Sequence, residues 1–162
     1  MRRALATVIL LCYALIVGGA STAAAEPPWS WPLAPPHAIA RQFIAPATPY
    51  AAGHRGIDIR AADVTVFAPA NGTVYFVGTV VDRPVVSLAH GDGVLSSFEP
   101  VQSALSVGDI VRRGDVIGTL VPGHCTEPCL HFGVRLDGQY VNPLLYVGTL
   151  ERSVLLPTRR LD

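Results

Sequence analysis

The chain has 162 residues, with 12 basic side chains, all of them Arg, against 12 acidic ones, so its formal net charge at pH 7 is zero. Half of it is hydrophobic, enough for one proper core, and it is too short for two domains once a leader is set aside. The balanced charge, with no basic stripe, excludes a nucleic-acid binder. The 7% aromatic content is scattered and argues against a carbohydrate-binding β-sandwich, which needs a row of exposed rings.

Arg2 and Arg3, an apolar run from Ala4 to about Val17, and Ala23-Ala24-Ala25 ahead of Glu26 have the three parts of a secretory signal peptide. Residues 1–25 are therefore expected to direct export and to be cleaved after Ala25. The apolar run is shorter than the ~20 residues a spanning helix needs, so no membrane association is expected after cleavage. The remaining 137 residues carry 10 basic and 12 acidic side chains, because Arg2 and Arg3 leave with the leader.

Residues 26–53 read as an extended lead-in. Pro27, Pro28, Pro32, Pro35 and Pro36 are too many for a helix and remove donors that a central strand needs. Trp29 and Trp31 are expected to pin this stretch by packing, and His37 reads as a solvated surface residue. The stretch from Pro46 to Gly53 is a loop that delivers the chain to His54.

His54-Arg55-Gly56-Ile57-Asp58 places two polar side chains that are costly to bury at even spacing. If Ile57, Asp58 and Ile59 open a strand, the two isoleucines face one way and Asp58 the other, and His54 can lie on the side of Asp58. An imidazole and a carboxylate converging on one point are first-row metal ligands, and zinc is favoured once a second His joins them. His131 is the best candidate, because Leu130, Phe132 and Val134 alternate with Cys129, His131 and Gly133 and so put His131 opposite an apolar row.

Short β runs broken by Gly or Pro follow at 64–67, 73–77, 85–89, 94–98, 116–121, 130–136 and 139–141. Gly91-Asp92-Gly93 and Asp137-Gly138 are hairpin signals, and no window of a dozen residues has a helical period. The expected fold is all-β, an antiparallel sandwich or open barrel of short strands over 54–147, with 148–162 as a C-terminal tail. His90, at a strand end before the Gly-Asp-Gly turn, reads as a hydrogen-bonded structural residue. Cys125 and Cys129, the two cysteines left after cleavage, read as one short disulfide in an exported protein.

From about Trp31 to Pro143 the chain resembles the lysostaphin-type, LytM-like zinc endopeptidases that cut peptide cross-bridges in bacterial peptidoglycan. The resemblance rests on His54-x-x-x-Asp58, the 67–74 stretch Phe-Ala-Pro-Ala-Asn-Gly-Thr-Val, the Gly-spaced run 107–118, the His131 strand and Val141-Asn142-Pro143. It implies a β-sheet core and zinc held by His54, Asp58 and His131. It also implies two further catalytic histidines, and here the sequence departs from the pattern. Cys129 stands at the first of a His-x-His pair, and Phe98-Glu99-Pro100-Val101 puts Pro100 where the other is expected.

Three substitutes present themselves. His124 is a candidate catalytic base if a Cys125–Cys129 disulfide draws it towards the zinc. Glu99 is a second, although on a regular strand it is expected to face away from the side the missing His uses. In the third, Cys129 binds zinc as a thiolate and closes the site. The leading reading is thus a secreted, cell-wall-associated zinc metalloendopeptidase acting on peptidoglycan peptides, either with a substituted catalytic apparatus or with low activity. The alternative is a non-catalytic LytM-like domain that binds the wall or regulates a partner hydrolase.

Overall fold

The computed structural model describes residues 29–48 and 50–148. The leader expected at 1–25, the first residues of the lead-in and the tail beyond Gly148 lie outside them. Eleven strands are formed among the described residues: β1 (Ile39–Arg41), β2 (Ile57–Arg60), β3 (Thr65–Phe67), β4 (Gly72–Val80), β5 (Arg83–Ala89), β6 (Val94–Glu99), β7 (Val101–Gln102), β8 (Ile110–Val111), β9 (Val116–Leu120), β10 (Cys129–Leu136) and β11 (Gln139–Val141). A single 3-10 turn, Pro143–Leu145, is the helical element, and no helix in this region is long and apolar enough to cross a membrane.

The fold is all-β and antiparallel, as expected. One sheet has the order β1-β2-β10-β6-β5-β4-β8, with β11 also paired to β10, and a three-stranded sheet has the order β3-β9-β7. The core is built by alternation: Leu130, Phe132 and Val134 of β10 are wholly buried, as are Ile57 and Ile59 of β2 and Phe98 of β6. The rings of Phe98 and Phe132 stack at 5.4 Å between neighbouring strands. Val66, Val101, Ile117 and Leu120 of the smaller sheet join the same core. Each such side chain contributes roughly 1.5–3 kcal/mol by leaving water, which fixes which face of β2, β6 and β10 points outward.

The β10–β11 hairpin turns on Asp137 (φ 48°) and Gly138 (φ 81°), the left-handed pair that a two-residue hairpin demands. Three strands were not expected: β1, β7 and β8 are two or three residues long, too short for periodicity to register. Of these, β1 changes the reading of the lead-in. It pairs with β2 as an edge strand, and Leu33 just before it is buried in the core. The 26–53 segment is thus packed into the sheet along part of its length.

Candidate metal centre

Two strand pairings assemble the site. Asp58 lies directly opposite His131 in the β2–β10 ladder, and His131 lies directly opposite Glu99 in the β10–β6 ladder. Cross-strand partners share a face, so the outward face opposite the Ile57–Phe132–Phe98 row carries Asp58, His131 and Glu99 side by side. His54 joins them through a bridge outside the main ladders, with its backbone N–H donating to the Ile44 carbonyl at 2.9 Å and its own carbonyl accepting from the Ile44 N–H at 3.0 Å.

Gly56 leaves room for this convergence. A Cβ at that position would lie 2.4 Å from the Phe132 carbonyl oxygen and 2.7 Å from His131 Nε2. The glycine between His54 and Asp58 is what lets the His131 ring turn its Nδ1 towards the carboxylate.

His54 Nδ1 is 2.7 Å from the carbonyl oxygen of Gln42, which can only accept, so Nδ1 carries the proton and donates. Nε2 of the neutral ring is then a bare lone pair. It lies 3.1 Å from Asp58 Oδ1 and 3.2 Å from His131 Nδ1, and His131 Nδ1 is 2.8 Å from the same carboxylate oxygen. His54 and Asp58 are both buried. Burial works to raise the Asp58 pKa, but the hydrogen bond from His131 and, in acid where the rings carry a proton, the charge of His54, His124 and His131 outweigh it and bring the carboxyl down to about 2. With the His54 ring in that tautomer, its Nε2 and an ionised Asp58 Oδ1 are two acceptors facing each other at 3.1 Å, an arrangement that a metal cation would satisfy.

His124 completes the cluster. Its Nε2 lies 3.0 Å from Asp58 Oδ1, and its Nδ1 lies 3.2 Å from Glu99 Oε1 and 3.0 Å from Arg83 Nη1. Arg83 Nη1 also meets Glu99 Oε1 at 3.2 Å. Cys125 and Cys129 form a disulfide with Cα atoms 5.9 Å apart, tying the residue after His124 to the start of the His131 strand. With its sulfur in that bond, Cys129 is not a thiolate ligand, so the closed thiolate site falls away.

The donor set fits a zinc ion. One atom from each of His54, Asp58, His124 and His131 lies within 4.8 Å of the others. A tetrahedral zinc with bonds of about 2.0–2.1 Å places its donors about 3.3 Å apart, close to the 2.8–3.2 Å separations among His54, Asp58 and His131.

The sequence reading brought together His54, Asp58, His131 and His124, and the structure has all four in one place. It corrects the expectation for Glu99, which faces the site. The alternation that sets His131 opposite Phe132 also sets Glu99 opposite Phe98, and that signal was available in the sequence. Arg83 and the Gln42 carbonyl carry no motif and emerge only from the fold. His90 is hydrogen-bonded, as expected, to the Asn71 carbonyl at 2.8 Å and Ser96 Oγ at 2.7 Å, and burial lowers its pKa. His37 is more engaged than a solvated residue, with its ring stacked 4.4 Å from Trp31.

An antiparallel β-sheet that gathers an imidazole–carboxylate–imidazole cluster on its outward face is a scaffold for a candidate metal site. Residues 52–143 match the model of peptidase family M23, and the chain belongs to that family. It is 40% identical over 153 residues to the uncharacterized protein Rv2891 of Mycobacterium tuberculosis, an alignment covering 89% of this chain and 61% of that one. The DD-carboxypeptidase/endopeptidase Mpg of Neisseria gonorrhoeae is 35% identical over 111 residues, covering 67% of this chain and 24% of Mpg. This chain thus spans only part of the length of these relatives. The catalytic domain of the antimicrobial peptidase lysostaphin from Staphylococcus simulans shares the fold, with a TM-score of 0.59 at 20% identity over 69% of this chain and 92% of that domain.

Proposed function

We propose that this chain is an extracytoplasmic zinc-dependent peptidase that hydrolyses peptides of bacterial peptidoglycan, with His54, Asp58 and His131 holding the metal. The observation that carries this reading is the mutual approach of His54 Nε2, Asp58 Oδ1 and His131 Nδ1 to 2.8–3.2 Å. Membership of family M23 supports a peptidase role, the named activity of Mpg supports a cell-wall peptide as substrate, and the leader expected at 1–25 supports export. Bound zinc would supply Lewis acidity towards a substrate carbonyl and acidify a water molecule.

The chain's own residues then have separate tasks. The Gln42 carbonyl fixes the His54 tautomer, and Asp58 supplies the negative charge that the cation requires. His124 accepts the proton of the attacking water at Nε2 while its Nδ1–H donates to Glu99, whose carboxylate Arg83 holds in turn. His124 and Glu99 thereby take the place of the two histidines that the lysostaphin-type pattern carries and this chain lacks.

One observation favours a second reading. His124 Nε2 approaches Asp58 Oδ1 as closely, at 3.0 Å, as His54 Nε2 does at 3.1 Å. As a fourth ligand it would close the site and leave a non-catalytic domain that binds the wall or regulates a partner hydrolase. His124→Ala separates the two. A base is lost with zinc content intact and turnover of a peptidoglycan peptide down by about 100-fold. A ligand is lost with zinc affinity reduced and no turnover in either protein.

A further inference from the structure

A groove of about 450 Å³ lies across the outward face of the sheet, where His131, Gly133 and Arg135 of β10 line it together with Arg55, Tyr140 and residues of β4, β5 and β6. Arg135 and Tyr140 are direct partners in the β10–β11 hairpin. The guanidinium carbons of Arg55 and Arg135 each lie 5.6 Å from the centroid of the Tyr140 ring. Arg55 Nη2 is braced on the Ala51 carbonyl at 3.0 Å, which fixes one guanidinium beside the ring. Among the described residues Arg135 has no carboxylate within ion-pair distance. Glu99, the acidic residue lining the groove, already meets Arg83 and the His124 ring.

We infer that Arg55, Arg135 and Tyr140 form a carboxylate-binding subsite of this groove, so that the peptide it takes carries a free carboxylate near the bond placed at His131. This rests on the peptidase reading for the identity of that bond, but the subsite itself stands on the groove. Two guanidinium groups, each 5.6 Å from the centroid of the one Tyr140 ring, supply planar donors of the kind that pair with a carboxylate's two oxygens, and Arg is suited to this where Lys is not. The spacing sets the reach. His131 and Arg135 are four residues apart on one strand, about 13 Å at the strand rise. An extended peptide lying along β10 advances by the same step, which places its carboxylate within about four residues of the metal centre. Between His131 and Arg135, Gly133 adds no side chain to the groove, and a Cβ there would crowd the Arg55 carbonyl oxygen at 3.2 Å.

The test titrates three synthetic peptides into the purified protein, with and without one equivalent of zinc: acetyl-tetraglycine with a free C-terminal carboxylate, the same peptide as its amide, and acetyl-Gly-Gly-Asp-Gly-amide. At least one carboxylate peptide should bind about tenfold more tightly than the amide. The free-end peptide being preferred assigns a chain terminus, and the aspartate peptide a side chain. Arg135→Gln should abolish the preference while leaving affinity for the amide peptide and zinc content unchanged, and Arg135→Lys should keep part of it, which separates loss of recognition from loss of fold. Equal affinity of all three peptides for the unaltered protein, or a full preference surviving in Arg135→Gln, overturns the proposal. A preference that persists without zinc, in a protein that never binds zinc, would keep the subsite and remove the metallopeptidase reading.

Discussion

Glu99 Oε1 lies 3.2 Å from Nδ1 of His124, on the ring edge away from Asp58. A carboxylate so placed fixes which way the imidazole faces. Groups that orient a catalytic or ligating His in this way are commonly worth about 10- to 100-fold when removed. Glu99→Gln should therefore lower peptide turnover by roughly tenfold while zinc content stays at the unaltered level. The paired measurement is steady-state hydrolysis and metal analysis on the same preparation.

The disulfide sits between His124 and the His131 strand, so opening it should be felt at the site more than in overall stability. Its loop is short, and the chain-entropy argument gives it only about 2 kcal/mol. With Cys125 and Cys129 both replaced by Ser, the urea midpoint should fall modestly, whereas the turnover that depends on His124 should fall to the level of His124→Ala. Thiol labelling of the unaltered protein without reductant should modify neither Cys125 nor Cys129.

Acid should act on the site in two separate ranges. Asp58 has a folded pKa of about 2, below the ordinary carboxylate value of about 3.9. Its contribution to folding is therefore fully present above about pH 4 and is lost as pH falls towards 2. Zinc should leave well before that, because ligating imidazoles must be unprotonated and free imidazole takes up its proton near 6.5. Zinc occupancy followed from pH 8 to 4 should fall while the native circular dichroism spectrum persists. Simultaneous loss of both would show that the metal and the fold are released together.

Much of this molecule was legible in its sequence because its strands obey a period of two around wholly buried residues. Phe132 and the isoleucines beside Asp58 announce which side chains face out, and the turn chemistry of Asp137-Gly138 announces the last hairpin. The short strands 39–41, 101–102 and 110–111 were not legible, since two or three residues carry no period and their pairing is a tertiary outcome. Glu99 was misjudged for a different reason. The absent histidine falls at Pro100, one position out of step with the alternation from Phe98 that brings Glu99 opposite His131. Arg83 and the Gln42 carbonyl belong to strand and loop placements that no local pattern encodes.

The most direct test is the zinc content of the purified protein, measured for the unaltered chain and for His54→Ala, Asp58→Ala and His131→Ala. One zinc per chain is expected, with each replacement weakening binding by at least about tenfold because solvent must complete the site. A folded protein that binds no zinc with all three residues intact, or one whose zinc is indifferent to replacing His131, would contradict the assignment of the metal to this cluster.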